Sequence, residues 1–239
     1  MIISRSGFAG LGKYGSRWMG DNHSFIEHLA FSIPSMMLHN IMGLHFHGSD
    51  ICGFMGNTTP ELCARWYATG AFYPFSRNHN NLYRDGQELW SFITERYESS
   101  TTYFDIIKRA MQTKLHLIRY YYSQLSFLST TGGTFFKPMF FEFPGDALAY
   151  ENIPLNAMLG KALKLGTQTL ALNQNSTDFF FPAGTWCEVF NKQGTNGCIV
   201  QATAGTVTLP SKAYDFHLHL REGYIIPIQD ATSFTRPSS

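Results

Sequence analysis

The chain has 239 residues, 44% of them apolar, enough to bury a core in one large domain or two small ones. Charged residues are only 15% and the net charge is +1, against about 25% charged in a typical domain. With no stripe or block of like charge, this composition excludes a disordered tail and argues against nucleic-acid and membrane-surface partners.

Phe, Tyr and Trp make up 15% of the chain, a load that suits a large core and also flat, weakly polar ligands such as sugar rings. The opening "MIISRSGFAG" lacks a basic region followed by a long apolar stretch, and no later run approaches the roughly 18 apolar residues of a membrane span. Nothing in this segment is expected to target or anchor it.

Residues 1 to about 128 read as short apolar strands alternating with helices. In "SFIEHLAFSIPSMML", Ser24 and Glu27 have the spacing of a capping box, and Pro34 is expected to break or kink the run. "IMGLHFHGSD" reads as strand-like, ending at the turn around Gly48. In "NTTPELCARWYATG", Thr59 is the expected cap, Pro60 the first helical residue and Gly70 the end. A third helix is predicted from Phe104, Ile107, Met111, Leu115, Ile118, Tyr122 and Leu125, which recur at spacings of three and four and so share one face.

After "STTGGT" the period changes to two. The runs "TFFKPMFFEFP", "TQTLALNQ", "DFFFPAGTWCEVF", "CIVQA", "GTVTLP" and "DFHLHLREGYIIPI" read as antiparallel strands. In the last of them Phe216, Leu218 and Leu220 alternate with His217, His219 and Arg221 as on a half-buried strand, the histidines on a solvated face. The expected architecture is α/β plus β, with an α/β part over 1–145 and a β-sandwich part over 146–239. A (β/α)8 barrel takes about 250 residues, so the α/β part has room for about half of one, and half a barrel leaves an open parallel edge.

The four cysteines fall into two pairs, Cys52 with Cys63 and Cys187 with Cys198, each spanning a short segment rich in turn formers, as in two local disulfides. Asn-x-Ser/Thr glycan acceptors occur at Asn22, Asn57 and Asn175, the last two in runs that read as exposed loops. Together they favour an oxidising compartment. Four reduced cysteines and chance acceptor triplets are the alternative.

Four polar clusters fall at or just after the ends of expected strands: "SRSGF" with Arg5, "WMGDN" with Trp18 and Asp21, "HGSDICGF" with Asp50 and Phe54, and "FYPFSRNHN" with Arg77 and His79. In parallel α/β folds the C-terminal strand ends converge on one face, so these groups can meet in one pocket. Singly, each has a structural explanation: Asp21 as a loop acid bonding backbone amides, Asp50 as a turn former, Arg5 as a surface charge. Together they have the make-up of a sugar site, in which carboxylate and imidazole bond hydroxyls while Trp18 and Phe54 offer apolar faces. Cleaving a glycosidic bond needs an acid for the departing oxygen and a second carboxylate as nucleophile or base. His45 and His47, two apart on a strand, suggest the start of a metal site. A third and fourth ligand are missing, so neither metal nor other cofactor is expected.

The stretches "RSGFAGLGKYGSRWMGDN", "GSDICGF" with "ELCARW", "GAFYPFSRNHN", "FFEFP" and "LREGYIIPIQ" occur in the order in which similar stretches occur in glycoside hydrolase family 31, the retaining α-glucosidases. The resemblance covers nearly the whole chain and is weakest between about 150 and 210. It implies the C-terminal part of the catalytic (β/α)8 barrel followed by the proximal β-sandwich domain. It makes Asp21 the general acid/base and puts Arg5, Trp18, Asp50, Phe54 and His79 around the terminal glucose. It also implies that Cys52 pairs with Cys63.

The family's nucleophile is an aspartate in a Trp-x-Asp-x-Asn-Glu type motif on an earlier barrel strand, and no such motif occurs in this sequence. Gly7, Leu11 and Lys137 stand where the family has other residues. The expectation is therefore a fragment of a secretory-pathway α-glucosidase acting on terminal α-linked glucose of an oligosaccharide or α-glucan, completed by a missing N-terminal part of the same polypeptide. The alternatives are a non-catalytic sugar-binding remnant, or an α-xylosidase or endoplasmic reticulum glucosidase of the same family.

Overall fold

A computed structural model describes residues 2–230 except 168, 170, 173 and 191–196. The α/β part runs β1 (Ile3–Ser4), β2 (Ser16–Trp18), α1 (Ile26–Ile41), β3 (His47–Gly48), β4 (Asp50–Ile51), α2 (Pro60–Gly70), β5 (Arg77–Asn78), a small hairpin of β6 (Arg96–Glu98) and β7 (Thr101–Thr102), then α3 (Tyr103–His116) and α4 (Ile118–Thr131). Strands β1, β2 and β3 pair in parallel, as do β4 and β5. Only Ser49 separates β3 from β4, so the strands present one row of C-terminal ends. The close approach of neighbouring strands requires Gly48, where a Cβ would sit 1.9 Å from the Phe75 carbonyl oxygen.

Helix α2 begins as the sequence predicts. The Thr59 hydroxyl accepts from the Leu62 amide at 3.2 Å, and Pro60 opens the first turn. Helix α1 does not. Its cap is Phe25, with no side-chain cap bond, because Ser24 is turned toward the loop after β4: its amide donates to Met55 O at 2.9 Å and its hydroxyl to Gly56 O at 3.3 Å. The helix also runs through Pro34 rather than ending there, and the strand-like reading of 41–50 shrinks to two short pieces.

The predicted third helix is two helices that meet at Leu117, and the stripe read from its spacing holds at Ile107 and Leu125 but not between them. Ile106, Ile107, Ala110, Leu117, Tyr120 and Tyr121 face the core, whereas Met111, Leu115, Ile118 and Tyr122 are exposed. The apolar spacing is common to both sets, so periodicity alone did not fix the face.

The β part contains β8 (Phe136–Pro138), β9 (Asn156–Leu159), β10 (Leu163–Gly166), β11 (Ser176–Phe181), β12 (Gly184–Glu188), β13 (Cys198–Gln201), β14 (Gly205–Pro210) and β15 (His217–Arg221). Six of them form an antiparallel sheet in the order β13-β12-β15-β10-β9-β8, and β11 pairs with β14 in a separate ribbon. The strand expected over 167–174 falls partly outside the described residues, and those that are described there carry no strand. Both disulfides are present, Cys52–Cys63 and Cys187–Cys198. The latter crosses directly between paired residues of β12 and β13.

The two parts share one core. Leu29, Ile33 and Trp66 of the α/β part belong to the same buried cluster as Leu159, Leu163, Phe216 and Leu218 of the β part. Asn40 Oδ1 accepts from the Phe136 amide at 2.9 Å. Arg65, 1% exposed, donates to Ser211 O at 2.8 Å and Gln174 O at 3.1 Å while pairing with Glu61, which satisfies a charge that would otherwise be costly to bury.

The histidines of β15 are not on a solvated face. His217 and His219 are 7% and 3% exposed, because the β11–β14 ribbon covers them: the Phe179 and Phe181 rings lie 5.0 Å from His217 and His219 respectively. Lys164, register partner of His219, is fully buried with its ammonium 4.2 Å from the Phe181 ring centroid. Burial lowers Lys164 to about 7, His217 to about 4 and His219 to about 2, and burial also lowers His47 to about 3.

The unfolded histidines take up protons near 6.5, the folded ones only below those values, so the stability present above about pH 6.5 is lost as the pH falls. Thermal unfolding should show a midpoint lower by about 5 °C or more at pH 5 than at pH 7. In a His219→Leu variant the difference should shrink; an unchanged pH profile would contradict this placement of the charge.

Candidate active site

Three loops at the C-terminal strand ends meet in one place. The loop after β2 is fixed to the loop after β4 by Asn22, which donates from Nδ2 to Asp50 O at 2.8 Å and accepts at its own carbonyl from the Phe54 and Met55 amides at 2.9 and 2.8 Å. Asn22 is 8% exposed, so this acceptor triplet belongs to the fold rather than to an open loop. The loop after β5 joins through the Asn81 amide, which donates to Phe54 O at 3.0 Å. At Gly53, with φ of 93°, a Cβ would lie 2.5 Å from the Ser24 nitrogen, so only glycine lets these loops close so tightly.

Asp50 is the deepest charge. It is 1% exposed, and its Oδ1 accepts from both Nε of Arg77, at 2.9 Å, and Nη2 of Arg77. Asp50 and Arg77 are register partners on β4 and β5, so strand pairing itself brings them together. Burial pushes the Asp50 carboxyl up; the Arg77 bonds and charge, and His79, act downward, and Asp21 adds to the rise. Asp21 and His79 are thus close enough for Asp50 to feel both charges. Asp50 Oδ2 is buried and has no hydrogen-bond partner among the described residues.

The other sequence-predicted residues gather around this pair. Asp21 sits at the rim with its carboxylate 41% exposed, 3.7 Å from Arg5. Arg77 lies over the Trp18 ring at 5.2 Å, so the half-buried indole is partly engaged by a guanidinium rather than offered whole to a ligand. The Phe54 and His79 rings are 5.1 Å apart. His45 and His47 are not part of this group: His47 is buried, stacks on His39 at 4.1 Å and bonds Arg17 O at 2.9 Å, while His45 bonds Asn40 at 3.3 Å. No cluster of three or more metal-ligating side chains occurs among the described residues. Lys137 is buried and paired with Glu142 at 2.5 Å.

Gln87 was not legible in the sequence. It is 3% exposed, and its Nε2 lies within bonding distance of Asn78 Oδ1 at 2.8 Å, Gly53 O at 3.1 Å, and Ile51 O and His79 O at 3.2 Å. One amide thereby ties the ends of β4 and β5 from beneath. In "RDGQEL" it reads as one polar loop residue among several, and no periodicity marks it.

A parallel strand row that gathers two carboxylates, two guanidiniums, an imidazole and aromatic rings at its C-terminal ends is the arrangement of a barrel-type α/β fold. Residues 1–124 match the Glycosyl hydrolases family 31 TIM-barrel domain and residues 132–226 the Glycosyl hydrolase family 31 C-terminal domain, and the chain belongs to glycoside hydrolase family 31. It is 35% identical to lysosomal alpha-glucosidase of Mus musculus over 99% of this chain and 25% of that protein, and 35% identical to an alpha-glucosidase of Schizosaccharomyces pombe over 99% of this chain and 23% of that one. Among solved structures it resembles glucosidase II alpha subunit bound to alpha3-Glc2, with a TM-score of 0.84 and 28% identity over 95% of this chain and 24% of that chain. The chain thus spans about a quarter of the length of the relatives it matches.

Removing Arg77 while leaving Asp50 in place leaves a buried carboxylate without its cation, a change that costs about 3 kcal/mol in comparable pairs. Urea unfolding of Arg77→Met should show a loss of about that size. A loss under about 0.5 kcal/mol, the range of ordinary surface substitutions, would mean that this pair does not hold β4 to β5.

Proposed function

We propose that the chain is part of a retaining, exo-acting α-glucosidase that releases terminal α-linked glucose from oligosaccharides or α-glucans. The observation that carries this is the contrast between its two grouped carboxylates, one deep and one at the rim. Asp50 is buried, with one oxygen held by Arg77 and the other unpartnered, which suits a fixed acceptor for sugar hydroxyls. Asp21 is at the rim, reachable by water and beside Arg5, which suits a group that must give up a proton and regain one.

In this reading Asp21 protonates the glycosidic oxygen as its bond to the anomeric carbon breaks, and a carboxylate attacks that carbon to form a covalent glycosyl-enzyme. Asp21, now ionised, takes a proton from the water that displaces the sugar. Arg5 orients Asp21, His79 and Asp50 bond ring hydroxyls, and Phe54 and the free part of Trp18 border the apolar sugar face. The attacking carboxylate is assigned to a part of the same polypeptide outside these 239 residues. Support for this comes from the absence of a Trp-x-Asp-x-Asn-Glu motif here and from the quarter-length match to the relatives.

Two disulfides and exposed acceptor triplets at Asn57 and Asn175 support a secretory-pathway compartment. Likeness to glucosidase II alpha subunit favours a second substrate reading, trimming of glucose from a glycan in the endoplasmic reticulum. Comparing hydrolysis of maltose and of an α-1,3-linked diglucoside by the full-length protein separates the two.

In the full-length protein, Asp21→Asn should lower kcat/KM for maltose by about a thousandfold or more, within the range of general acid catalysis. An aryl α-glucoside with an activated leaving group, which needs no proton at the first step, should lose far less at glycosyl-enzyme formation, measured as the pre-steady-state burst. Equal loss on both substrates would remove Asp21 from the acid role.

A further inference from the structure

Phe54 and His79 stand on different loops, after β4 and β5, yet their rings are held 5.1 Å apart. A tilted aromatic pair at the surface is worth only about 1 kcal/mol, too little alone to order the nine-residue run from 79 to 87 against its conformational entropy. The Asn81 amide ties it to Phe54 O at 3.0 Å, and two further sets of contacts act on its far end. From beneath, the Gln87 amide bonds Gly53 O and His79 O. From outside, Asp85 closes the loop: its carboxylate accepts from Asn57 Nδ2 at 2.6 Å, its backbone amide donates to Asn57 Oδ1 at 3.2 Å, and its carbonyl accepts from Asn80 Nδ2 at 2.8 Å. The first of these is a charge-assisted bond, the stronger kind. The segment between carries Leu82 and Tyr83, 71% and 93% exposed, and Tyr83 has a left-handed backbone with φ of 69°. A bulky residue holds that conformation only where its surroundings impose it.

We propose that Asp85 is a positioning residue for the sugar site: by bonding Asn57 and Asn80 at once it latches the His79 loop onto the Phe54 loop before substrate arrives. The proposal rests on the α-glucosidase reading above and extends it to a residue outside the sugar-contacting set. Because Asp85 touches neither sugar nor reacting atoms, loosening it leaves the chemical step intact and weakens binding. The bound sugar must then order a loop that is otherwise ordered in advance.

The test is a pair exchange in the full-length protein, with maltose as substrate. Asn57→Asp sets a second carboxylate against Asp85 and should raise KM about fivefold to tenfold, the range for loss of one ordinary hydrogen bond, with kcat changed less than about twofold. Asp85→Asn keeps an acceptor oxygen for Asn57 but loses the charge, and should raise KM by less than about threefold. Combining Asn57→Asp with Asp85→Asn restores a donor–acceptor pair and should return KM to within about twofold of wild type.

Both variants that change Asn57 lack the glycan acceptor, so a glycan effect would persist in the combined variant and the latch effect would not. Hydrogen exchange of amides 80–86 should quicken in Asn57→Asp and recover in the combination. Unchanged KM and exchange in Asn57→Asp, a fall in kcat alone, or no recovery in the combination would each overturn the latch. A wild-type protein inactive on every α-glucoside would instead refute the proposed function, and hydrogen exchange would still decide whether Asp85 holds the loop.

Discussion

The ion pair between Asp50 and Arg77 is the contact on which the candidate site depends. It forms where β4 and β5 pair in register, so hydrogen bonding of the sheet delivers the two side chains to each other with little further ordering. Arg77 then reaches across to the Trp18 ring at the end of β2, and three strands are tied at one point. An isolated carboxylate as deep as Asp50 would be expensive in any protein interior. The guanidinium offsets part of that cost and leaves one carboxylate oxygen without a partner among the described residues, a requirement that a hydroxyl-bearing ligand can meet.

The loops above the pair are held largely by side-chain amides. Asn22, Gln87 and Asn57 each carry donor and acceptor on one side chain, and each bridges two loops that leave different strands. Arg5, Asp21 and His79 are at the rim, where solvent and ligand reach them. Below, the shared core and Arg65 fix the β part against the α/β part, so the strand row rests on a packed base rather than on a hinge.

The grouping of the candidate residues was legible in the sequence because they stand in short motifs whose chemistry is unusual for loops: an acid after Trp-Met-Gly, an acid before Ile-Cys-Gly-Phe, a histidine between asparagines. Helix α2 was legible for the same kind of local reason, since Thr59 and Pro60 act within one turn. What failed was decided at long range. Ser24 had the spacing of a cap, but its hydroxyl and amide were claimed by residues more than thirty positions away. His217 and His219 alternated with apolar residues as surface groups do, yet a ribbon from the same chain covers them. The stripe from Phe104 to Leu125 was right at Ile107 and Leu125 and wrong between them, since the burying partners, Phe135 and Leu159, come from segments outside the helix. Gln87 left no local trace at all.

The most direct measurement is a crystal structure of the full-length protein with a glucose-like inhibitor such as 1-deoxynojirimycin. The account predicts the inhibitor ring between Asp21 and Asp50, with a hydroxyl within hydrogen-bond distance of Asp50 Oδ2 and His79 alongside. A ring bound elsewhere, with Asp50 Oδ2 still unpartnered and Asp21 facing bulk water, would contradict it.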